Sequence, residues 1–132
     1  MQPKFLYIED DSLSREIMTM MLGGLGYNDV IIFDNSHDFL GKLAALPFIP
    51  DVIFLDIHVP PLDGFEMLKI LREHPDFAQQ KIIALTASVM NEEIAKLRRS
   101  GFDGAMGKPL DFDEFPALLH RILQGETIWI VA

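Results

Sequence analysis

The sequence predicts an α/β fold: a five-stranded parallel sheet with five helices packed on both faces. Three observations carry this expectation. Apolar runs of strand length alternate along the chain with segments of helical period. The runs are continuous rather than alternating, as in strands covered on both faces. Carboxylate, hydroxyl or lysine residues stand directly after most of them, at the edge where open parallel sheets bind ligands.

FLYI, Phe5–Ile8, is the first run. VIIF at 30–33, VIFL at 52–55 and IIAL at 82–85 follow, and a weaker fifth lies around 104–106, before GKP. Leu13, Ile17, Met20 and Met21 keep i, i+4, i+7, i+8 spacing, with Ser12 as the expected helix cap. GGLG at 23–26 follows this helix, so it reads as a helix stop rather than a phosphate loop. Phe39, Leu43 and Leu46 mark the second helix, Phe65, Leu68 and Leu71 the third, and Ile94 and Leu97 a short fourth. The fifth carries Phe115, Leu118, Leu119, Ile122 and Leu123, and Pro116 must lie in its first turn, with a start near Asp113. Five strands alternating with five helices suit the flavodoxin-like order 2-1-3-4-5.

Residues 1–124 are expected to form this one domain, and 125–132 a tail or the start of a linker. ETIWIVA at 126–132 alternates like a strand and carries the only tryptophan. It reads either as a tail packed on the domain or as an added edge strand or self-association element, which leaves a homodimer open.

Composition narrows the function. The chain has 132 residues, 49% of them hydrophobic, enough for one core and too many for disorder. Eleven Lys and Arg against 20 Asp and Glu leave a net charge of −9. That argues against binding nucleic acid, which needs a basic surface, and against docking to anionic membranes. No apolar run approaches the roughly 18 residues of a membrane span. MQPKFLYIEDD turns acidic too soon for a signal peptide. The absence of cysteine excludes thiol catalysis, disulfides and zinc–cysteine sites, and a cytoplasmic location is expected.

In the order 2-1-3-4-5 the first and third strands are neighbours, which brings Glu9, Asp10 and Asp56 into one pocket. Such carboxylates repel: two unit charges about 4 Å apart interact by roughly 4 kcal/mol at an effective dielectric near 20. A hard divalent cation would neutralise them, Mg²⁺ first and Mn²⁺ as the alternative. Lys108 brings a fixed positive charge from the fifth strand, and Thr86 a hydroxyl from the fourth. A carboxylate flanked by a cation and a lysine is suited to receive an anionic phosphoryl group, with Asp56 as covalent acceptor. After Asp56 the segment HVPPLDG makes a stiff turn. Pro60 and Pro61 fix φ, Gly64 opens the next helix, and the His58 carbonyl becomes a candidate metal ligand.

Four segments, YIEDDSLSR, FLDIHVPPLDG, IIALTAS and GKPLD, together resemble the receiver domains of two-component response regulators, over nearly the whole chain from Lys4 to Gln124. The resemblance implies a phosphoacceptor module that takes phosphate from a sensor histidine kinase or a histidine phosphotransfer protein and switches binding to an output protein or domain. It implies phosphorylation on Asp56 and Mg²⁺ on Asp10, Glu9, Asp56 and the His58 carbonyl. Thr86 and Lys108 would contact the phosphoryl group, and Pro109, with a cis bond as one option, would hold the lysine's loop. No enzyme activity is expected beyond slow self-dephosphorylation, which His58 and Ser88 would tune. One departure matters: the family often has Tyr or Phe three residues before the lysine, where this chain has Ala105, so an aromatic swing there cannot be the output signal.

Other readings fit less well. A phosphatase forming an aspartyl-phosphate usually needs a second Asp two residues past the nucleophile, where this chain has His58. A flavin binder needs a glycine- and hydroxyl-rich loop after the first strand, where this chain has carboxylates. The complete acidic, threonine and lysine set argues against a receiver used only for contacts. His37, His74 and His120 read as surface residues.

Overall fold

The computed structural model describes residues 2–88 and 90–129. Strands β1 (Phe5–Ile8), β2 (Val30–Phe33), β3 (Val52–Asp56), β4 (Lys81–Thr86) and β5 (Gly104–Gly107) form where the apolar runs place them. A sixth, β6 (Ile128–Trp129), extends the sheet to the order β2-β1-β3-β4-β5-β6, all pairs parallel. β1 and β3 are buried along their whole length because both neighbours and both faces are covered, while β2 at the edge is only half-buried.

The helices are α1 (Ser12–Gly24), α2 (Phe39–Ala44), α3 (Gly64–Glu73), α4 (Asn91–Ser100) and α5 (Phe115–Leu123). They divide the apolar residues between two cores. α1 and α5 cover one face through Met18, Leu22, Phe115 and Ile122, and α2, α3 and α4 cover the other through Phe39, Leu43, Leu71 and Leu97. Each face therefore has its own hydrophobic seal, with the sheet between them.

Two local expectations shift. The α1 cap is Asp11, whose side chain accepts from the Ser14 N–H, and Ser12 is the first helical residue. The buried face of α1 carries Met18, Met21 and Leu22, whereas Leu13 and Met20 are 61% and 64% exposed. Apolar residues at 17, 18, 20, 21 and 22 surround the helix, so spacing alone fits more than one stripe.

The sheet has six strands rather than five because the chain turns back after α5. Gly125 takes a left-handed φ of 95°, and Ile128 buries itself beside β5. The partner position is Gly104, where a Cβ would stand 2.6 Å from the Ile128 carbonyl oxygen. Only glycine lets β6 approach. The described part of the tail is thus an edge strand; residues 130–132 lie outside the described residues.

Candidate functional site

Parallel pairing aligns the carboxyl ends of the central strands. Ile8 pairs with Leu55 and Asp56 with Leu85, so Glu9 and Asp56 emerge side by side. Thr86 pairs with Gly107, and the Lys108 N–H donates to the Thr86 carbonyl at 2.8 Å, which turns the lysine back over the same edge. One carboxylate oxygen each from Glu9, Asp10 and Asp56 lies within 4.8 Å of the others. Glu9 is fully buried and Asp56 nearly so, while Asp10 is exposed.

Lys108 bridges the buried pair. Its ammonium donates to Glu9 Oε1 at 2.6 Å and to Asp56 Oδ2 at 3.3 Å. The other Asp56 oxygen accepts a long bond from the His58 N–H at 3.3 Å. One ammonium serves two carboxylates, and burial with their mutual contact sets their proton affinities apart. Burial, then hydrogen bonding and repulsion from Glu9, push the Asp56 carboxyl up to about 6. Burial also disfavours ionised Glu9, but hydrogen bonds from Asp56, Lys108 and Tyr7 outweigh it and hold that carboxyl below its ordinary value. Burial works against charged Lys108 too, and Glu9 and Asp56 overcome it and raise the lysine. The pair therefore favours one proton or one further cation near Asp56. Three convergent carboxylate oxygens are the hard donors that Mg²⁺ or Mn²⁺ selects, so the residues present fit such an ion.

A supporting shell of hydrogen bonds ties the loops to the helices. The Arg15 guanidinium on α1 donates to the Glu9 carbonyl at 3.0 Å. Gly64 opens α3 within a capping box formed by Asp63 and Glu66. Its N–H reaches the Ile57 carbonyl at 2.8 Å, and a Cβ there would stand 2.9 Å from Ile57 Cα. The Pro60–Pro61 and Lys108–Pro109 peptide bonds are both cis.

Two polar residues in this shell escape the sequence reading. Ser36 is 1% exposed; its hydroxyl contacts the Val59 and Leu62 carbonyls at 3.0 Å and accepts from the Leu62 N–H at 2.7 Å. It pins the loop after Asp56 from 26 residues away. Tyr7, inside the FLYI run, donates from its phenol to Glu9 Oε1 at 2.7 Å. Burial and the Glu9 carboxylate hold that phenol well above its ordinary value. A usable signal existed for Tyr7, because residues i and i+2 of a strand share a face. None existed for Ser36.

Thr86 is placed at the edge but faces its own loop. Its hydroxyl donates to the Ser88 carbonyl at 3.2 Å and accepts from the Ser88 N–H at 3.1 Å. His58 is exposed beside the cluster. Ala105 is fully buried, between Ala84 and Trp129 in register. A cavity of about 210 Å³ opens on the far side of Lys108, against Ala87, Glu114 and Leu118, and none of the three carboxylates lines it.

The comparisons agree on one family. The family model described as the response regulator receiver domain matches residues 5–120. An uncharacterised protein of Leptolyngbya boryana is 32% identical over 93% of this chain and 88% of its own. Stress response regulator protein 1 of Meyerozyma guilliermondii is 31% identical over 84% of this chain, which spans 51% of that protein. Among solved structures, the chemotaxis response regulator CheY4 of Vibrio cholerae superposes with a TM-score of 0.82 at 24% identity, covering 92% of this chain and 99% of its own. The receiver domain of sensor histidine kinase PA1611 of Pseudomonas aeruginosa, solved with magnesium in its active-site cleft, gives 0.77 at 25% identity, covering 92% and 97%.

Proposed function

This chain belongs to the family of response regulator receiver domains, and from that premise we propose that it accepts a phosphoryl group on Asp56 in a Mg²⁺-dependent reaction. The observation that carries the reading is the convergence of Glu9, Asp10 and Asp56 within 4.8 Å, with Lys108 bridging the buried pair. Glu9, Asp10, Asp56 and the His58 carbonyl would hold the ion. When bound, it neutralises carboxylate charge and screens the incoming phosphoryl oxygens.

An Asp56 carboxylate oxygen attacks phosphorus. The P–N bond of a donor phosphohistidine breaks, and the imidazole leaves with the electron pair and takes up a proton. Lys108, freed from Asp56 Oδ2, turns its charge to a phosphoryl oxygen. The Thr86 hydroxyl leaves Ser88 to donate to another, which moves the β4–α4 loop. Water later attacks phosphorus, breaks the bond to Asp56 and releases inorganic phosphate, at a rate set by His58 and Ser88. The chain is an acceptor rather than an enzyme with an external substrate.

The donor we assign is a sensor histidine kinase or a histidine phosphotransfer protein, and the receiver of the signal an output protein or domain. The setting is cytoplasmic, without nucleic acid or membrane, and self-association through the tail would make a homodimer. Among the described residues no helix is long and apolar enough to cross a membrane. Incubation with acetyl phosphate and Mg²⁺, read by intact mass, tests the chemistry. One phosphate adduct is expected, lost in Asp56→Ala and without metal. No adduct together with no Mg²⁺ binding would leave a module that works only by contact.

A further inference from the structure

We propose that Tyr7 is a positioning residue: its buried phenol fixes Glu9 for the cation and keeps it fixed when Lys108 turns away to the phosphoryl group. The proposal rests on the reading of Asp56 as phosphoryl acceptor. Three observations lead to it.

Tyr7 is the one polar side chain in β1, and it is 1% exposed. Its ring packs edge-on to Phe54, with centroids 6.3 Å apart. A buried phenol needs an acceptor, and a phenylalanine would fill the same space without that need. The hydroxyl is therefore spent on the carboxylate it meets, Glu9.

Both strong donors to Glu9 converge on one oxygen. Tyr7 Oη stands 2.7 Å and Lys108 Nζ 2.6 Å from Oε1. Among the described residues, Oε2 accepts only from the Asp11 N–H, at 3.4 Å. The carboxylate is thus gripped at one end, and its other oxygen carries only a long, weak bond.

Lys108 is shared. It also reaches Asp56 Oδ2 at 3.3 Å, the group that would gain the phosphoryl charge. Glu9 is fully buried and Lys108 is its one charged donor among the described residues, so the lysine's departure would strand the carboxylate if no other strong donor held it. Tyr7 prevents that. It donates to the oxygen Lys108 vacates, holds the Glu9 rotamer, and lets a single lysine serve two states of the site.

The arrangement has a specific signature. While Lys108 is present, the two donors back each other up, and removing the phenol does little. Without Lys108, Tyr7 is the sole strong donor, and removing it does much. Mg²⁺ affinity would be measured by calorimetric titration on the full chain as wild type, Tyr7→Phe, Lys108→Met and the double variant. A Tyr7→Phe loss of about twofold to threefold is expected in the wild-type background, and about tenfold in Lys108→Met, as a hydrogen bond to a buried charge implies. A packing role for Tyr7 would change melting temperature alike in both backgrounds and give equal affinity ratios. Equal ratios, or tighter Mg²⁺ binding in Tyr7→Phe, overturn the proposal. Tyr7→Met, which also lacks the hydroxyl but fills the space flexibly, should reproduce the ratios if Tyr7→Phe folds poorly. Wild-type protein that takes phosphate from acetyl phosphate while the ratios are equal sinks only the role of Tyr7. Wild-type protein that neither binds Mg²⁺ nor takes phosphate sinks the acceptor reading with it.

Discussion

Two polar clusters sit at opposite ends of the same sheet, and their charge balance differs. At the amino ends, the Arg72 guanidinium from α3 meets one carboxylate, Asp103, at 2.7 Å. It also donates to the carbonyls of Ala78, Gln80 and Gly101, and Asp103 accepts from the Ile82 N–H at 2.9 Å. At the carboxyl ends, Lys108 is the one cation among the described residues that pairs with Glu9 and Asp56, with Asp10 beside them. The first cluster is neutral, and every nitrogen of its guanidinium is engaged. The second keeps a surplus of negative charge that folding does not resolve. A balanced cluster braces β4 and β5 against α3. An unbalanced one costs stability in the free protein and is retained where an ion and an anionic group must enter.

Removing the surplus should have the largest effect. Asp56→Asn should abolish the phosphate adduct outright. It should also stabilise the metal-free protein at pH 7.5 by on the order of 2 kcal/mol, read by urea denaturation, since one unit of displaced pKa is worth about 1.4 kcal/mol. A destabilised Asp56→Asn would mean that the two clusters do not differ as described.

At the other end, Arg72→Met should cost about 2 kcal/mol by leaving Asp103 and several carbonyls without their donor. Mg²⁺ affinity and adduct formation should stay unchanged. A matching loss of phosphorylation would merge the two clusters into one functional unit.

Proton linkage gives a smaller effect. Asp56, pushed up to about 6, contributes stability that is complete below its unfolded value and lost as pH rises through about 6. Glu9 is lowered, so its contribution is present above its unfolded value and lost only as pH falls through its folded value. Between pH 5 and 7.5 in EDTA, stability should therefore fall by about 1 kcal/mol. Saturating Mg²⁺ or Asp56→Asn should flatten that slope; an unchanged slope in Asp56→Asn would assign it elsewhere.

The smallest effect concerns the helix that joins the two ends. α3 begins at the capping box after the Asp56 loop and carries Arg72 in its last turn. Glu66→Ala should cost about 0.5 kcal/mol in denaturation midpoint and leave both clusters intact.

The sequence made the frame legible because buried parallel strands are locally written. VIFL ending on Asp56 needs no distant information, and the same holds for Thr86 after IIAL and Lys108 before a proline. What it hid depends on partners far along the chain or on the facing of a single helix. Ser36 looks like any loop serine until its hydroxyl is found 26 residues away in the loop after Asp56. Arg72 looks like a last-turn basic residue until Gly101 and Asp103 fold back onto it. Tyr7 reads as core because its ring is core, and only its hydroxyl belongs to the site. Leu13 and Met20 face outward because α1 is apolar on more sides than one. β6 was readable as alternation, but its place beside β5 depended on Gly104 admitting a second backbone.

Trp129 is the chain's only tryptophan, and the Arg98 guanidinium of α4 stands 4.8 Å from its ring centroid. It lies in register with Ala105, at the opposite edge of the sheet from β2. The molecule therefore carries a built-in fluorophore whose emission responds to solvent access and to the nearby cation at one place only, where α4 meets the last strand. Light absorbed there is blind to an ion settling among Glu9, Asp10 and Asp56 unless that event moves α4 or β6, so unlabelled protein can separate occupation of the site from its transmission across the sheet.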